Sequence, residues 1–322
     1  MATTARATRT PVATRSAATP APGPGRASIV AAFAAVYLVW GSTYLAIRWV
    51  LESLPPLVTA GARFLVAGGV LLAWAWWSEG RRPEGRERVG VTQWKWSLLV
   101  GALLFLGGNG AVMWAEQRVP SGVAALMVAI MPCCLALLEW LGPRRKVPSL
   151  LTIVGLLTGT AGLVLLVGIP GTAGGSVDLL AAGVLLLGSF TWAAGSLVAR
   201  GAPLARSYVR NSGMQMVAGG VLLALAGLAM GEGPRLANAH VTQASLLAWI
   251  YLVTFGSLVA FTAFAFLART VSPAKVATYA YVNPVVAVLL GWALAGEVVT
   301  ARTLLASAVI VAAVVMITRG RS

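Results

Sequence analysis

The sequence predicts an all-α membrane protein whose ten transmembrane helices form two inverted five-helix repeats. Three observations predict it: a scarcity of charge, ten apolar runs of spanning length, and a self-match at one constant offset. Of the 322 residues, 58% are hydrophobic and only 10% are charged. A soluble domain carries about a quarter charged residues, because its whole surface must face water. The formal charge is +15. The basic residues sit in short gaps between apolar runs, which is the membrane pattern and not the clustered face of a nucleic-acid reader. The expected partner is therefore the lipid bilayer, with no nucleic acid.

Residues 1–28 hold four arginines, no acid, and many Ala, Thr and Pro. Such a stretch cannot bury a core and reads as a disordered tail. Its composition also resembles a transit peptide. No small-residue cleavage signal follows the first apolar run, so an uncleaved cytoplasmic tail is expected. Ten apolar runs come next, at 29–50, 56–77, 97–116, 120–140, 149–168, 178–199, 211–230, 244–267, 273–293 and 301–318. Each is about as long as the ~20 residues a helix needs to cross the hydrocarbon core. Turn formers such as Pro55-Pro56, Pro143, Pro148 and Gly231-Glu232-Gly233-Pro234 fill the gaps. Open strands cannot satisfy their backbone in lipid, so no sheet reading survives.

Orientation follows from the basic residues. With the N-terminus in the cytoplasm, nineteen Lys and Arg lie on that side. Only Arg48, Arg118, Arg235 and Arg302 lie opposite, and Arg63 is left inside the second run. Positive residues collect on the cytoplasmic face, so both termini are expected there, in a multi-pass protein of the inner (plasma) membrane.

A shift of 152 residues superposes the halves. Trp40 falls on Trp192, Arg48 on Arg200, Gly61 on Gly213, Gly68 on Gly220, Val119 on Val271 and Pro132 on Pro284. This divides the chain into units at 29–168 and 178–319. Five spans is an odd number, so the second unit enters the membrane with opposite polarity. Inverted repeats of this kind build many secondary transporters, with the ligand site between the halves.

The segments VWGSTYLAIR (39–48), PPLVTAGARFL (55–65), GNGAVMWAEQRVPSGVAAL (108–126), YAYVNPVVAVLLG (279–291) and the pair Gly296-Glu297 resemble the drug/metabolite transporter superfamily. Within it they are most similar to the EamA family, YedA-type exporters. The resemblance spans roughly residues 29–319. It implies ten helices, both termini cytoplasmic, and a central cavity lined by helices 1–4 and 6–9. One departure is visible: where the second half has Gly296-Glu297, the first has Arg144-Arg145. Any role of the Gly-Glu pair is therefore expected to be unduplicated.

Several residues could line such a cavity. The first run sets Tyr37, Trp40, Tyr44 and Arg48 on one helical face, and the sixth answers with Ser189, Trp192, Ser196 and Arg200. A membrane-interface belt with snorkelling arginines suits the two arginines at the helix ends. It suits Trp40 and Trp192 poorly, because both lie mid-span. The third run aligns Asn109, Met113 and Glu116, and the ninth aligns Tyr279 with Asn283 beside Pro284, with Tyr281 close by. Arg63 in the second run is matched by Gln215 in the seventh. A buried arginine needs a partner, and its fork suits a carboxylate or phosphate. The competing reading is a packing arginine bonded to backbone carbonyls. The substrate-binding candidates are thus Trp40, Tyr44, Arg63, Asn109, Met113, Trp192, Gln215, Tyr279, Tyr281 and Asn283.

Apart from Arg302 at the start of the tenth, the fifth and tenth runs carry only Ser and Thr as polar residues, with Gly155 and Gly159 spaced for close packing. They are assigned to support or to a homodimer contact. Cys133 and Cys134 adjoin inside an apolar run and His240 sits alone in a polar gap, so neither a metal nor a cofactor is expected. The acids lie at helix ends or in gaps. Because exposed carboxylates titrate near pH 4, weak pH dependence is expected around neutrality. No catalytic pairing of residues emerges, which leaves two readings. The first is a secondary transporter exporting small metabolites by alternating access, amino acids or related compounds foremost and drugs second. The second is a non-transporting membrane scaffold or receptor.

Overall fold

A computed structural model describes residues 25–81, 87–142, 147–167, 177–271, 273–276 and 278–320. Nearly all of the expected tail, and the Arg144-Arg145 pair, lie outside them. The described residues form ten membrane helices and no strand. In order these are α1 (Arg26–Leu51), α2 (Pro56–Glu79), α3 (Val91–Ala115), α4 (Ser121–Leu141), α5 (Leu150–Val167), α6 (Leu179–Gly201) and α7 (Tyr208–Ala229). Then come α8 (Gln243–Tyr251, Leu252–Val259 and Ala260–Thr270 in succession), α9 (Tyr279–Ala295) and α10 (Ala301–Gly320). Nine are long and apolar enough to cross a membrane, and α9 is a shorter apolar helix. Large apolar side chains such as Leu157, Leu187, Leu225 and Trp292 face outward, as lipid permits and water would penalise.

Helix starts follow local chemistry. Pro56 occupies the first turn of α2, where its missing N–H costs nothing. Asp178, Ser207 and Thr242 accept from the amides of Ala181, Arg210 and Ser245 to cap α6, α7 and α8. The Ala181 amide, with Arg118 assisting, holds the exposed Asp178 carboxyl below its usual range. Gly231 and Gly296, at φ 80° and 63°, end α7 and α9 in the left-handed region that glycine enters freely.

The halves are interlocked about a pseudo-two-fold axis. α2 packs against α7 so closely that a Cβ on Gly61 would fall 2.9 Å from the Gly220 carbonyl oxygen, and one on Gly68 2.9 Å from that of Gly213. The offset maps the first pair onto the second, so one contact is made twice. α1 packs on α8 and α9 of the other half, and α6 packs in the same way on α3 and α4. α5 and α10 pack on each other to one side, where Gly155 and Gly162 admit Ile317 and Ile310. Neither helix lines the cavity described below.

Two features break the plain α pattern. α3 and α8 each contain an eight-residue π-helical segment, Ala102–Asn109 and Leu252–Val259, at nearly equivalent places. A shorter one, Ala35–Val39, lies in α1. Such segments rotate the following residues relative to a continuous α-helix and gather at functional sites. The two repeat-related prolines also differ. α4 is interrupted between Val128 and Met131 ahead of Pro132, whereas Pro284 sits inside an unbroken α9.

Candidate functional site

A cavity of about 100 Å³ lies between the halves, smaller than the ~300–1,000 Å³ usual for occupied small-ligand sites. Of the ten sequence candidates, Trp40, Tyr44, Arg63, Asn109, Trp192, Tyr279 and Asn283 line it together. The wall is completed by residues such as Thr43, Val112, Met131 and Phe261. Two of these had a sequence signal that polarity alone concealed: Phe261 is the repeat partner of Asn109, and Met131 that of Asn283.

The π segments position the tryptophans. Gly256 in α8 takes the Trp40 indole N–H on its carbonyl oxygen at 3.2 Å. A Cβ there would sit 3.0 Å from the Arg63 guanidinium. In α3, a Cβ on Gly108 would fall 2.6 Å from the Trp192 ring. Each tryptophan is thus seated against a glycine of the opposite half. Around Trp40, the rings of Phe261, Phe264 and Tyr279 all stand at 5.3 Å, forming an aromatic wall. Tyr37 on the preceding turn is hydrogen-bonded to the Thr278 hydroxyl.

Arg63 is 4% exposed and lies beside the Phe64 ring, 4.7 Å from its centroid. Its Nε donates to the Ser257 hydroxyl at 2.9 Å. Among the described residues no carboxylate pairs with it, and no backbone carbonyl receives it. Its contacts within the protein are thus a hydroxyl and an aromatic ring, in place of the backbone carbonyls that the packing reading supposed. Asn109 donates to the Leu104 carbonyl at 3.2 Å across the π segment. The Asn283 side-chain carbonyl is buried without a partner.

Three candidates are elsewhere. Met113 is 1% exposed in the core, and Val112, three residues on from Asn109, takes the lining place. Gln215 turns back along α7 to the Asn211 side chain at 3.1 Å. Its face is occupied by α3, where a Cβ on Gly101 would meet the Gln215 carbonyl at 2.6 Å. α7 therefore contributes nothing to the wall, unlike the implied arrangement of helices 1–4 and 6–9. Tyr281 is two residues from both Tyr279 and Asn283, and such residues do not share a helix face.

Ion pairs join helices at the ends of the bundle. Glu297, placed by the Gly296 turn, accepts from Arg48 at 3.0 Å. It also accepts from the Ser121 amide and hydroxyl at 2.8 Å each and from the Gly122 amide at 3.1 Å, capping α4. Arg200 pairs with Glu139 at 2.9 Å. Arg48 and Arg200 are repeat partners, so the expectation of an unduplicated Gly-Glu role is corrected in part. The ion pair recurs with an acid from a shifted position, whereas Arg144-Arg145 supplies none. The two arginines are more than snorkelling side chains. Glu232, beyond α7, likewise accepts from the Leu57 and Val58 amides and caps α2.

Comparison with known proteins gives a consistent picture. The model of the EamA-like transporter family matches residues 27–168 and 179–319. The chain is 40% identical over 293 residues to the uncharacterized inner membrane transporter YedA of Escherichia coli K12, covering 89% of each. It is 28% identical to the protein PecM of Dickeya dadantii, covering 79% of this chain and 80% of that one. A chloroplastic WAT1-related protein of Arabidopsis thaliana is 26% identical, covering 87% and 67%. One solved crystal structure, 20% identical, superposes with a TM-score of 0.58 over 91% of this chain and 96% of the other, a likeness of fold.

Proposed function

Since the chain belongs to the EamA-like transporter family and is a multi-pass inner-membrane transporter, we propose that it exports small carboxylate-bearing metabolites by alternating access, amino acids and their relatives foremost. One observation carries the substrate class: a buried guanidinium without a carboxylate partner stands in the wall of the cavity. A guanidinium held from water is expensive unless paired. Its planar fork accepts a carboxylate through two hydrogen bonds and repels a cation.

The remaining wall suits the rest of such a molecule. Trp40, Trp192, Phe261 and Tyr279 offer flat apolar surface. Asn109, Asn283 and the Tyr44 hydroxyl offer polar contacts for an amino or hydroxyl group. Alternating access is supported by the two-fold relation of the halves, each of which can adopt the arrangement of the other. The proposed orientation has both termini in the cytoplasm, on the distribution of arginines and lysines.

Purified protein in liposomes should move labelled phenylalanine and other zwitterionic or anionic amino acids. It should discriminate against their amides and against permanent cations. A clear preference for cationic dyes would overturn the anion-site reading. A lack of flux across the whole panel would favour a scaffold or receptor.

A further inference from the structure

We infer that Glu116 is a proton-binding site that couples proton movement to the opening of one end of the helix bundle. The inference rests on the transport reading above. Glu116 directly follows the last residue of α3 and is 7% exposed. Neither carboxylate oxygen has a hydrogen-bond partner among the described residues. The other acids with buried side chains are all held. Glu79 accepts from Arg210, Glu232 from two amides of α2, and Glu297 from Arg48, Ser121 and Gly122. A carboxylate ion without a partner in such a place is strongly disfavoured, and a bound proton removes the charge.

The surroundings supply one cation for two acids. α1 brings Tyr44 and Arg48, and the turn after α9 brings Glu297, all within electrostatic reach. α2 carries no charge before Arg63, two turns in. α6 has no titratable group before Arg200, and Asp178 at its start is paired with Arg118. Glu232, beyond α7, is spent on the α2 amides. Arg48 is therefore the only cation these elements offer Glu116, and Glu297 holds it.

That competition gives the proton something to do. When Glu116 releases its proton to water, the carboxylate keeps the bonding pair. It then repels Glu297 and attracts Arg48. The Arg48–Glu297–Ser121 clamp joins α1, α9 and α4, so weakening it loosens that end of the bundle. Rebinding a proton restores the clamp. Tyr44 lies one turn before Arg48 and lines the cavity, so one face of α1 reaches from the ligand space to the clamp. The expectation of weak pH dependence assumed an exposed Glu116, and its burial removes that premise.

Infrared difference spectra of the reconstituted full chain test the site without a substrate. A protonated-carboxyl band should be present at neutral pH and fade as pH rises. It should be absent from Glu116→Gln, and present in Glu116→Asp and in Glu52→Gln, whose side chain is exposed. A band that survives Glu116→Gln, or that titrates wholly near the pH 4 of exposed carboxylates, overturns the proposal. In liposomes, a one-unit pH gradient should change labelled phenylalanine accumulation by about tenfold, one proton's worth. Glu116→Gln should lose this gradient effect yet keep phenylalanine exchange, and a gradient effect that persists in Glu116→Gln also overturns the proposal. A wild type that moves no phenylalanine counts against the substrate reading, and the infrared result still decides the proton site.

Discussion

Replacing Arg63 by Gln should separate ligand recognition from folding. The substitution installs in α2 the residue that the repeat already carries as Gln215 in α7, so a helix of this shape tolerates it. The lost contact within the protein is small, one hydrogen bond to the Ser257 hydroxyl at 2.9 Å. Against that, a buried charge without an acidic partner is removed, and thermal stability should hold or rise. The ligand loses more. Hydrogen bonds to charged groups contribute about 1.5–3 kcal/mol. Losing one bidentate carboxylate contact should therefore weaken apparent affinity about 10- to 150-fold at 1.4 kcal/mol per tenfold. The assay is concentration-dependent uptake of phenylalanine and of its amide by reconstituted protein. Wild type should prefer the acid, and Arg63→Gln should lose the preference because affinity for the acid falls. Unchanged affinity and unchanged preference in a well-folded variant would falsify the assignment of Arg63 to the ligand.

Three further outcomes are expected. Glu297→Gln should lower the stability measured by thermal unfolding by about 2 kcal/mol, since it weakens a cap and a charged hydrogen bond together. Arg48→Ala should cost less than about 1 kcal/mol, because the arginine is 41% exposed. Equal losses would show that the cap contributes nothing. Gly61→Ala would place a Cβ 2.7 Å from the Ala224 amide nitrogen, whereas Gly69 has nothing within 4 Å. The first should destabilise by about 1–3 kcal/mol through overpacking, and Gly69→Ala should be neutral or gain up to about 1 kcal/mol of helix propensity. Reporter fusions at residues 174 and 322 should fall on opposite sides of the membrane, outside and inside. A shared compartment would defeat the proposed orientation.

What could be read from the sequence was what short-range physics dictates. Span length and apolar character follow from one residue and its near neighbours, and the constant offset of 152 needs only a comparison of the two halves letter by letter. The mid-span positions of Trp40 and Trp192 already marked them as poor interface anchors. The misses have a common cause in packing between distant segments. Glu116 and Glu297 both stand at a helix end in the sequence. Tertiary contacts bury the first without a partner and tie the second to the start of α4. Nothing in the composition of Ala102–Asn109 signals a π-helical segment, so the phase of α3 could not be drawn from α periodicity. Met113 and Gln215 were assigned by spacing and by repeat equivalence. Neither says on which side of a helix its neighbours will leave room.

The repeat is closely kept in the scaffold and abandoned in the wall. Gly61–Gly220 and Gly68–Gly213 make one contact twice, and Trp40 and Trp192 are both seated on a π-segment glycine of the opposite half. Among the cavity candidates, in contrast, the offset matches Tyr44 with Ser196, Asn109 with Phe261, Asn283 with Met131, and Arg63 with a Gln215 that turns away. In the proposed alternating-access cycle, symmetric packing would bring the two end states close in energy. A ligand or proton can then move the population only by binding one state better than the other, and about 1.4 kcal/mol of difference is tenfold. Small electrostatic terms decide such a balance where large packing terms cancel. Two charged groups are among those that break the repeat. Arg63 lacks a charged twin, and the Arg48–Glu297 clamp has an unpaired acid beside it where its counterpart, Arg200–Glu139, has Ala268 at the equivalent place.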